Sequence, residues 1–442
     1  MTTHPLQYAL AYLEEAICLR LQAVFSSEKA EAMRPTLTSE PFRWEGHFRA
    51  LLPEGNPTQN EILTLLMAMA PQVEPHFYDR VFQAYLPGAG DFPQVGGWRG
   101  KQHRGFLPTG DTVLFLLAGE DPEQRIQARG LFSEEHWFYQ KRLLYLELPP
   151  EGEPPMSGKL TLGPDVFDLL TQGRATTPRF SLQFPAQRIH TEMEWDDLVL
   201  NAHTLRQIKE LESWVRHGDT LLRDWGMGRK LKRGYRALFY GPPGTGKTLT
   251  AGLLGKYTQR EVFKVDLSMV VSKFIGETEK NLANLFARAE NKGWILFFDE
   301  ADALFGKRTN VRDAHDKYAN QEVSYLLQRV ETYDGLVILA SNFKSNIDDA
   351  FLRRFQSIIH FPLPSPQERE LLWRQAFPAP ITLTEEVDLS ILARRYELTG
   401  ADVINIVQHC CLNALARGDH RINPLDLQQG IERELAKSGK LA

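Results

Sequence analysis

The sequence predicts an α/β protein with a doubly wound parallel sheet, a helical lid after the sheet and a small α+β region before it. Between about residues 193 and 363, short apolar runs typical of buried parallel strands alternate with helical segments. From Pro366 onward, the apolar residues follow helical spacing only. Before residue 175, helical segments are followed by strand-like runs, an order typical of an α+β region.

The composition is that of a globular protein that can bury hydrophobic cores. Hydrophobic residues make up 43% of the 442 residues and charged residues 24%, which excludes a largely disordered chain. The formal net charge of -5 argues against a generally basic surface that would coat nucleic acid. At roughly 150 residues per domain, the length predicts about three folding units and is also compatible with two or four.

The cysteines and the N-terminus predict a cytoplasmic location. Cys18, Cys410 and Cys411 are too few for a disulfide framework and have no zinc-type spacing, so a reducing compartment is expected. Glu14 and Glu15 lie where a signal peptide would need apolar residues. No apolar run approaches the roughly 18 residues that span a bilayer. We therefore expect a cytoplasmic protein without a membrane span.

Changes in pattern divide the chain into four predicted segments. Polar residues and prolines interrupt every helical or strand period at residues 176–192, which predicts a linker. Residues 1–175 are the predicted N-terminal region that recognises a substrate or partner, and a winged-helix-like module is one interpretation of part of it. Residues 193–363 are the predicted large α/β subdomain, and residues 364–442 are the predicted helical lid.

The N-terminal region combines helical segments with strand-like runs. Apolar residues recur at helical spacing in three segments, Leu6 to Phe25, Gln59 to Ala70 and Pro75 to Tyr85. The strand-like runs are Thr112 to Leu117, Leu143 to Leu148 and Lys159 to Leu162. A turn rich in proline and glycine separates the last two.

The rest of the chain supplies five predicted strands and several helices. The strands are Ala237 to Tyr240, Val262 to Asp266, Ile295 to Phe298, Val337 to Ala340 and Ser357 to Phe361. Helical segments between them include Glu279 to Asn291 and Tyr318 to Thr332. The predicted lid helices are Pro366 to Ala376, Leu389 to Tyr396, Ala401 to Arg417 and Pro424 to Ala436.

A glycine-rich loop follows the first of these strands and opens a helix. Its glycines let backbone N–H groups converge on phosphate oxygens, and the helix N-terminus adds a favourable dipole. Lys247 can reach the β and γ phosphates of a nucleotide, and Thr248 can ligate Mg²⁺. The predicted nucleotide-binding residues are Gly241, Pro242, Pro243, Gly244, Thr245, Gly246, Lys247 and Thr248.

The strand Ile295 to Phe298 ends in two acidic residues, Asp299 and Glu300. At a strand terminus beside the phosphate loop, Asp299 can hold a hydrated Mg²⁺ ion. Glu300 can orient and polarise an attacking water molecule. An apolar run that ends in two acids is by itself typical of an ordinary strand. Its pairing with the phosphate loop favours the catalytic interpretation.

Together these motifs resemble those of AAA+ ATPases, of the group that includes katanin, the proteasomal ATPases and FtsH-type unfoldases. The resemblance covers about Trp195 to Leu435. Further matches are the segment before the ATPase core at Trp195 to Leu198, an intersubunit signalling motif at Asp334 to Leu336, the sensor-1 residue Asn342 and a lid-helix motif at Leu398 to Asp402. The resemblance implies a P-loop AAA+ fold and a Mg²⁺-dependent enzyme that hydrolyses ATP.

Arg353 and Arg354 resemble the arginine pair that, in related proteins, acts on the γ-phosphate held by a neighbouring subunit. Such residues stabilise charge in the transition state, and Asn342 would act beside them as a catalytic polar residue. The two arginines are adjacent here, whereas many relatives separate them by two residues, so the sequence leaves open which one is the finger. A finger supplied in trans requires head-to-tail subunits, which close into a ring. The resemblance implies a hexamer.

The segment Ser272 to Glu279 resembles the first pore loop of unfolding members of this group. Phe274 would then project into a central channel and grip an extended protein chain by contact area. The alternative is that Phe274 packs in the core beside Ile275. The charged stretch Gly306 to Lys317 is either a second pore-facing loop or a solvated surface loop.

The segment Asp91 to Gly110 combines glycines, aromatic residues and the cations Arg99, Lys101 and Arg104. It is either a recognition loop on a rigid base or a surface connection without a partner. The region is similar to that of ATPases that accompany phage-tail-like contractile injection systems. That similarity implies a role in assembling, loading or recycling such particles.

Three functions stay open at the level of sequence. The first is a motor that remodels, unfolds or threads protein, with other copies of itself and a protein substrate or particle component as partners. The second is a nucleotide-controlled assembly factor that docks partners without threading them. The third is a motor that acts on DNA, which the acidic charge balance argues against. The zinc-protease motif His-Glu-x-x-His does not occur in the sequence.

Overall fold

The computed structural model describes residues 5–25, 56–86, 93–163, 165–173, 178, 180–181, 184–270, 277–290, 292–301, 324–342, 352–437 and 439. Phe274 and the charged stretch 306–317 lie outside these residues. The chain forms two compact units, residues 1–177 and residues 178–442. Within the described ranges, no helix is long and apolar enough to cross a membrane.

The N-terminal unit is mostly helical. Its helices are Pro5–Phe25, Gln59–Val73, Phe77–Gln83, Gly110–Ala118, Pro122–Ala128, Trp137–Gln140 and Val166–Gln172. Two antiparallel strand pairs accompany them, β1 (Trp98–Arg99) with β2 (Phe106–Leu107) and β3 (Leu144–Leu146) with β4 (Leu160–Leu162). The three N-terminal helices and the last two strands confirm the sequence prediction.

The prediction of a strand at 112–117 was wrong, because these residues belong to the helix Gly110–Ala118. Thr109 caps this helix: its hydroxyl accepts from the Thr112 N–H, and the Thr112 hydroxyl accepts from the Thr109 N–H. Apolar residues lie all round the helix and are buried. A short apolar run that is buried on every side has the same pattern in a strand and in a helix, so periodicity could not separate them.

Two aromatic residues of the predicted recognition loop, Trp98 and Phe106, lie in different environments. Trp98 is 49% exposed, and the Lys159 ammonium group lies 5.4 Å from its ring centroid. Phe106 instead packs on Phe82, with ring centroids 4.9 Å apart. Arg99 donates to Asp79 across 2.7 Å. Trp98 is therefore an outward-facing aromatic residue on a loop that an ion pair holds in place.

The second unit is built on a six-stranded sheet. Its strands are β5 (Ala186–Ile189), β6 (Tyr235–Tyr240), β7 (Val262–Val265), β8 (Ile295–Phe298), β9 (Leu336–Ser341) and β10 (Ser357–His360). They are ordered β10-β6-β9-β8-β7-β5, and every pair is parallel except β5 with β7. The five predicted strands are confirmed.

Part of the predicted linker 176–192 is instead β5, an antiparallel edge strand of this sheet. Gln187 and Arg188 expose their side chains, as residues of an edge strand can. Their polarity and the preceding Pro185 hide the apolar alternation that would mark a strand.

Both faces of the sheet are covered by helices, as expected for a doubly wound fold. Alternate residues of each strand enter different hydrophobic clusters: Phe298 and Leu238 belong to one, Phe297 and Phe239 to the other. The helices of this part are Ala202–Leu222, Lys247–Thr258, Leu267–Val270, Glu277–Ala289 and residues 324–332.

The lid has its own hydrophobic cluster, which includes the buried residues Trp373 and Cys410. Its helices are Pro366–Ala376, Leu389–Arg395, Gly400–Arg417 and Pro424–Lys437. Burial raises the pKa of Cys410 to about 12, which fits a structural thiol. The prediction of helices alone was incomplete, since β11 (Thr382–Leu383) pairs with β12 (Arg421–Ile422). Strands of two residues are too short to give a sequence signal.

Candidate nucleotide-binding site

The glycine-rich loop connects β6 to the helix Lys247–Thr258. Its three glycines have positive φ angles of 146°, 75° and 95° at Gly241, Gly244 and Gly246. At Gly241 an added Cβ would lie 2.0 Å from the Phe361 carbonyl oxygen, so only glycine fits there. Gly246 is the N-cap of the helix, whose first N–H groups point toward the loop. The loop and the helix start thus form a concave surface suited to an anion.

Lys247 is 8% exposed and holds the loop together. Its ammonium group donates to the carbonyl oxygens of Gly241 at 2.6 Å and Pro242 at 2.9 Å, and to Asn342 Oδ1 at 3.4 Å. The Thr245 hydroxyl donates to the same Pro242 carbonyl at 2.8 Å. These acceptors compensate the buried charge and hold the ammonium group beside the loop.

Asp299 and Glu300 directly follow β8, at the carboxyl edge of the sheet. Asp299 Oδ2 accepts from the Lys264 ammonium group at 2.6 Å, and Asp299 Oδ1 accepts from the Glu300 N–H at 3.0 Å. Glu300 has a φ of 52°, unusual for a residue other than glycine, and its side chain is exposed. Strained backbone of this kind often occurs at active sites, where it directs a side chain.

One cavity of about 560 Å³, a size typical of small-molecule sites, brings most of the predicted nucleotide-binding residues together, although Gly241 and Pro242 do not line it. Its polar side is lined by the loop residues from Pro243 to Thr248 and by Asp299, Glu300 and Asn342. Its apolar lining includes Leu198, Leu372 and Ile404. A lining that combines polar and apolar residues suits a nucleotide, which has polar phosphates and a flat base.

The start of one lid helix lies against the glycine-rich loop. Thr399 caps the helix Gly400–Arg417 through a capping box with Asp402. The Ala401 N–H donates to the Gly244 carbonyl at 3.3 Å. The Leu398 to Asp402 motif therefore starts the lid helix and also places it against the phosphate loop.

The oxygen donors of this site suit magnesium. Thr248 and Asp299 offer one hydroxyl and one carboxylate, and a hard cation that keeps several waters binds in this way together with substrate phosphates. Across the described ranges, no group of three or more His, Cys, Asp or Glu side chains could hold a metal alone. The arrangement fits Mg²⁺ that arrives with a nucleotide.

The predicted arginine pair does not line the cavity. Arg353 and Arg354 are both exposed, and Arg354 forms an ion pair with Glu331. For Arg353, the described part of the chain supplies no such carboxylate. Within this unit, therefore, neither arginine belongs to the cavity formed by the same chain.

The part of the chain that contributes the glycine-rich loop to this cavity is similar to a known protein family. Residues 237–363 match the model of the ATPase family associated with various cellular activities (AAA). The chain contains an AAA-family ATPase domain. The matched region includes the glycine-rich loop, both acids and Asn342, and these residues contribute to the lining of the cavity.

Three curated proteins illustrate the similarity of this AAA domain to known ATPases. The chain is 32% identical over 209 residues to the 26S proteasome regulatory subunit 6B homolog of Dictyostelium discoideum, covering 46% of this chain and 52% of that protein. It is 37% identical over 215 residues to the proteasome-activating nucleotidase of Aeropyrum pernix, covering 46% and 51%. It is 32% identical over 254 residues to the ATP-dependent zinc metalloprotease FtsH 3 of Sphaerobacter thermophilus, covering 55% and 50%. The chain thus spans about half the length of the curated relatives it matches.

The sequence did not predict the ion pair of Lys264 with Asp299 or the apolar residues that line the cavity. A lysine within the otherwise buried strand Val262–Val265 was the available signal for the first. The sequence offers no such signal for the apolar lining residues, since Leu372 and Ile404 lie far apart in the chain and resemble ordinary helix residues.

Proposed function

We propose that this protein is an ATP-driven motor that remodels, unfolds or threads protein. The observation that carries the proposal is the shared cavity of Lys247, Asp299, Glu300 and Asn342 in an AAA-family domain. The similarity to proteins named for the proteasome and to an FtsH protease supports protein as the substrate class.

Each residue of the cavity has a proposed role in ATP hydrolysis. Lys247 and the loop N–H groups bind the β and γ phosphates. Thr248 and Asp299 would hold Mg²⁺, which neutralises charge on the phosphates when bound. Glu300 orients the attacking water, and Asn342, in contact with Lys247, positions the γ-phosphate end of the site.

The active form is proposed to be a head-to-tail ring, a hexamer, in which Arg353 completes the neighbouring site. Arg354 is occupied by Glu331 of its own subunit. The backbone carbonyl oxygen of the same Glu331 accepts a hydrogen bond from the buried guanidinium of Arg236. The backbone carbonyl oxygen of Arg236 in turn accepts from the Gln356 N–H at 3.0 Å. These contacts anchor the chain on one side of Arg353. An anchored, exposed cation is suited to reach another subunit.

Phe274 is proposed to grip the substrate in the central channel, and the N-terminal unit is proposed to select it. The exposed Trp98, held beside Lys159, offers a contact surface for a protein partner. Components of a contractile injection particle are the proposed partners, on the similarity of this region to the ATPases of such systems.

A Phe274→Ala variant tests the motor. The Glu300→Gln variant in ATP is first used to trap a protein substrate. That substrate is then fused to a fluorescent protein, which loses its fluorescence when it is unfolded. We expect Phe274→Ala to hydrolyse ATP but to leave the fluorescence intact. Trp225→Ala is the matched control, since Trp225 is 76% exposed and lies outside the predicted pore loop. Equal unfolding by Phe274→Ala and wild type would refute threading and favour an assembly factor that only docks its partner.

A further inference from the structure

Lys264 is a charged residue in a strand that is otherwise buried. Val262, Phe263 and Val265 are 2%, 0% and 1% exposed. The Lys264 side chain keeps 43% of its surface exposed and ends 2.6 Å from Asp299 Oδ2. None of the nucleotide-binding motifs of the sequence includes this lysine.

The register of the sheet produces this contact. Lys264 lies opposite Phe297 in the parallel pair of β7 and β8. Paired residues of neighbouring strands lie on the same face of a sheet, so Phe297 and Lys264 share a face. Asp299 follows Phe297 by two residues and therefore lies on that face as well. A lysine side chain is long enough to cover the diagonal distance. The ion pair is therefore fixed by two rigid strands.

Both oxygens of Asp299 are engaged within the subunit. Oδ2 accepts from Lys264, and Oδ1 accepts from the N–H of Glu300, whose φ is 52°. The lysine thus fixes the carboxylate that would hold the metal, and that carboxylate in turn fixes the backbone of the residue that would orient water.

We propose that Lys264 is a positioning residue that occupies the Asp299 carboxylate before nucleotide binds and competes with the metal for that carboxylate afterwards. The inference rests on the proposed function, since it assigns Asp299 to the metal. Lys264 is a fixed cation beside two acidic side chains. It lowers their repulsion of a triphosphate and also makes the Asp299 oxygen less available to a second cation.

Removal of the lysine charge has two effects, and both raise the ratio of the ATP dissociation constant without metal to that with metal. Without metal, Asp299 and Glu300 repel the triphosphate more strongly, so ATP binds less tightly. With metal, Asp299 is released from its competing partner, so ATP affinity is maintained or increased. The ratio of the dissociation constant for ATP in EDTA to that in magnesium chloride therefore rises.

Calorimetric titration of ATP into the full chain measures this ratio. A Glu300→Gln background keeps the ATP intact during the titration. We expect Lys264→Met and Lys264→Gln to raise the ratio about three- to fivefold, the scale of a partly exposed ion pair. Lys264→Arg keeps the charge and should stay near the parent value. Lys437→Met is the matched control, since it removes a similar lysine ion pair, 2.6 Å from Glu434, in the last lid helix.

The outcomes separate the inference from the proposed function. A raised ratio in both neutral variants, with Lys264→Arg and Lys437→Met unchanged, supports the positioning role. A ratio equal to or below the parent value in a neutral variant whose thermal unfolding is unchanged overturns it. If the parent itself binds no ATP in either solution, the proposed function fails instead. Two neutral substitutions guard against one that misfolds.

Discussion

The ammonium nitrogen of Lys247 lies 3.4 Å from Oδ1 of Asn342, although the two residues are 95 positions apart in the sequence. Lys247 begins the helix that follows β6, and Asn342 directly follows β9, the parallel neighbour of β6. Loops after neighbouring parallel strands meet at the same edge of a sheet. The topology therefore places Lys247, which is expected to bind phosphate, beside Asn342, which is expected to position the γ-phosphate.

Asn342→Ala should retain ATP binding and lose hydrolysis. Removal of one polar group that acts on transition-state charge costs roughly 10²–10³-fold in rate. Steady-state phosphate release and ATP titration measure the two properties. Asn405→Ala is the control, because Asn405 lines the same cavity from the lid and bonds Glu434 at 3.1 Å. Equal losses in the two variants would contradict a specific role for Asn342.

Gly244→Ala should weaken ATP binding by displacing the lid. An added Cβ would lie 2.5 Å from Thr399 Oγ1 and 2.9 Å from the Ala401 Cβ, at a φ of 75°. Gly418→Ala is the control, since its φ is 70° and nothing lies within 4 Å. Each substitution costs about 1–2 kcal/mol of folding free energy from backbone strain. Only Gly244→Ala should also reduce the affinity for ATP, which calorimetric titration measures. Similar ATP affinities in the two variants would show that the contact between the loop and the lid does not support ATP binding.

Acid should weaken the last lid helix through Asp426. The guanidinium of Arg417 donates to both Asp426 oxygens, at 2.6 and 2.8 Å, and this pairing lowers the pKa of Asp426. A carboxylate with a lowered pKa adds stability above its unfolded pKa of about 3.9, and that stability disappears as the pH falls through the folded value. Hydrogen bonds to charged groups contribute about 1.5–3 kcal/mol.

Hydrogen exchange of the Pro424–Lys437 amides checks this expectation. At neutral pH, Asp426→Asn should speed their exchange at least about tenfold relative to wild type, since 1.4 kcal/mol corresponds to a factor of ten. Below about pH 4 the difference between the two proteins should shrink. A difference that stays constant through the acid range would show that the charge of Asp426 does not stabilise the lid.

Arg353 should act on the site of a neighbouring subunit. Arg353→Ala alone should lose about 10³-fold or more in hydrolysis. A mixture of Arg353→Ala subunits with Lys247→Ala subunits should regain activity, because the latter supply an intact arginine to the intact cavity of the former. A mixture as inactive as its components would argue against a trans finger. Arg354→Ala and Glu331→Ala should share a smaller, equal loss if Arg354 only anchors the segment.

The periodicity of short buried runs was sufficient to predict the central strands, and the order of motifs predicted the AAA domain. The strand β5 was missed because an edge strand exposes polar residues such as Gln187 and Arg188. The helix Gly110–Ala118 was mistaken for a strand because burial on all sides removes the helical period.

The candidate site was predictable where its residues share a local motif and not where the sheet brings distant residues together. The contact of Lys264 with Asp299 depends on the register of β7 and β8, which no local pattern specifies. The approach of Ala401 to Gly244 likewise depends on how the lid packs.

Single-turnover conversion of bound ATP to ADP by wild type and by Glu300→Gln tests whether this cavity is the site of ATP hydrolysis. Both proteins should bind ATP in the presence of magnesium. Wild type should convert it, and Glu300→Gln should do so at least about a hundredfold more slowly, because the group that orients water is lost. Conversion at the same rate by both proteins would contradict the assignment of this cavity as the site of hydrolysis.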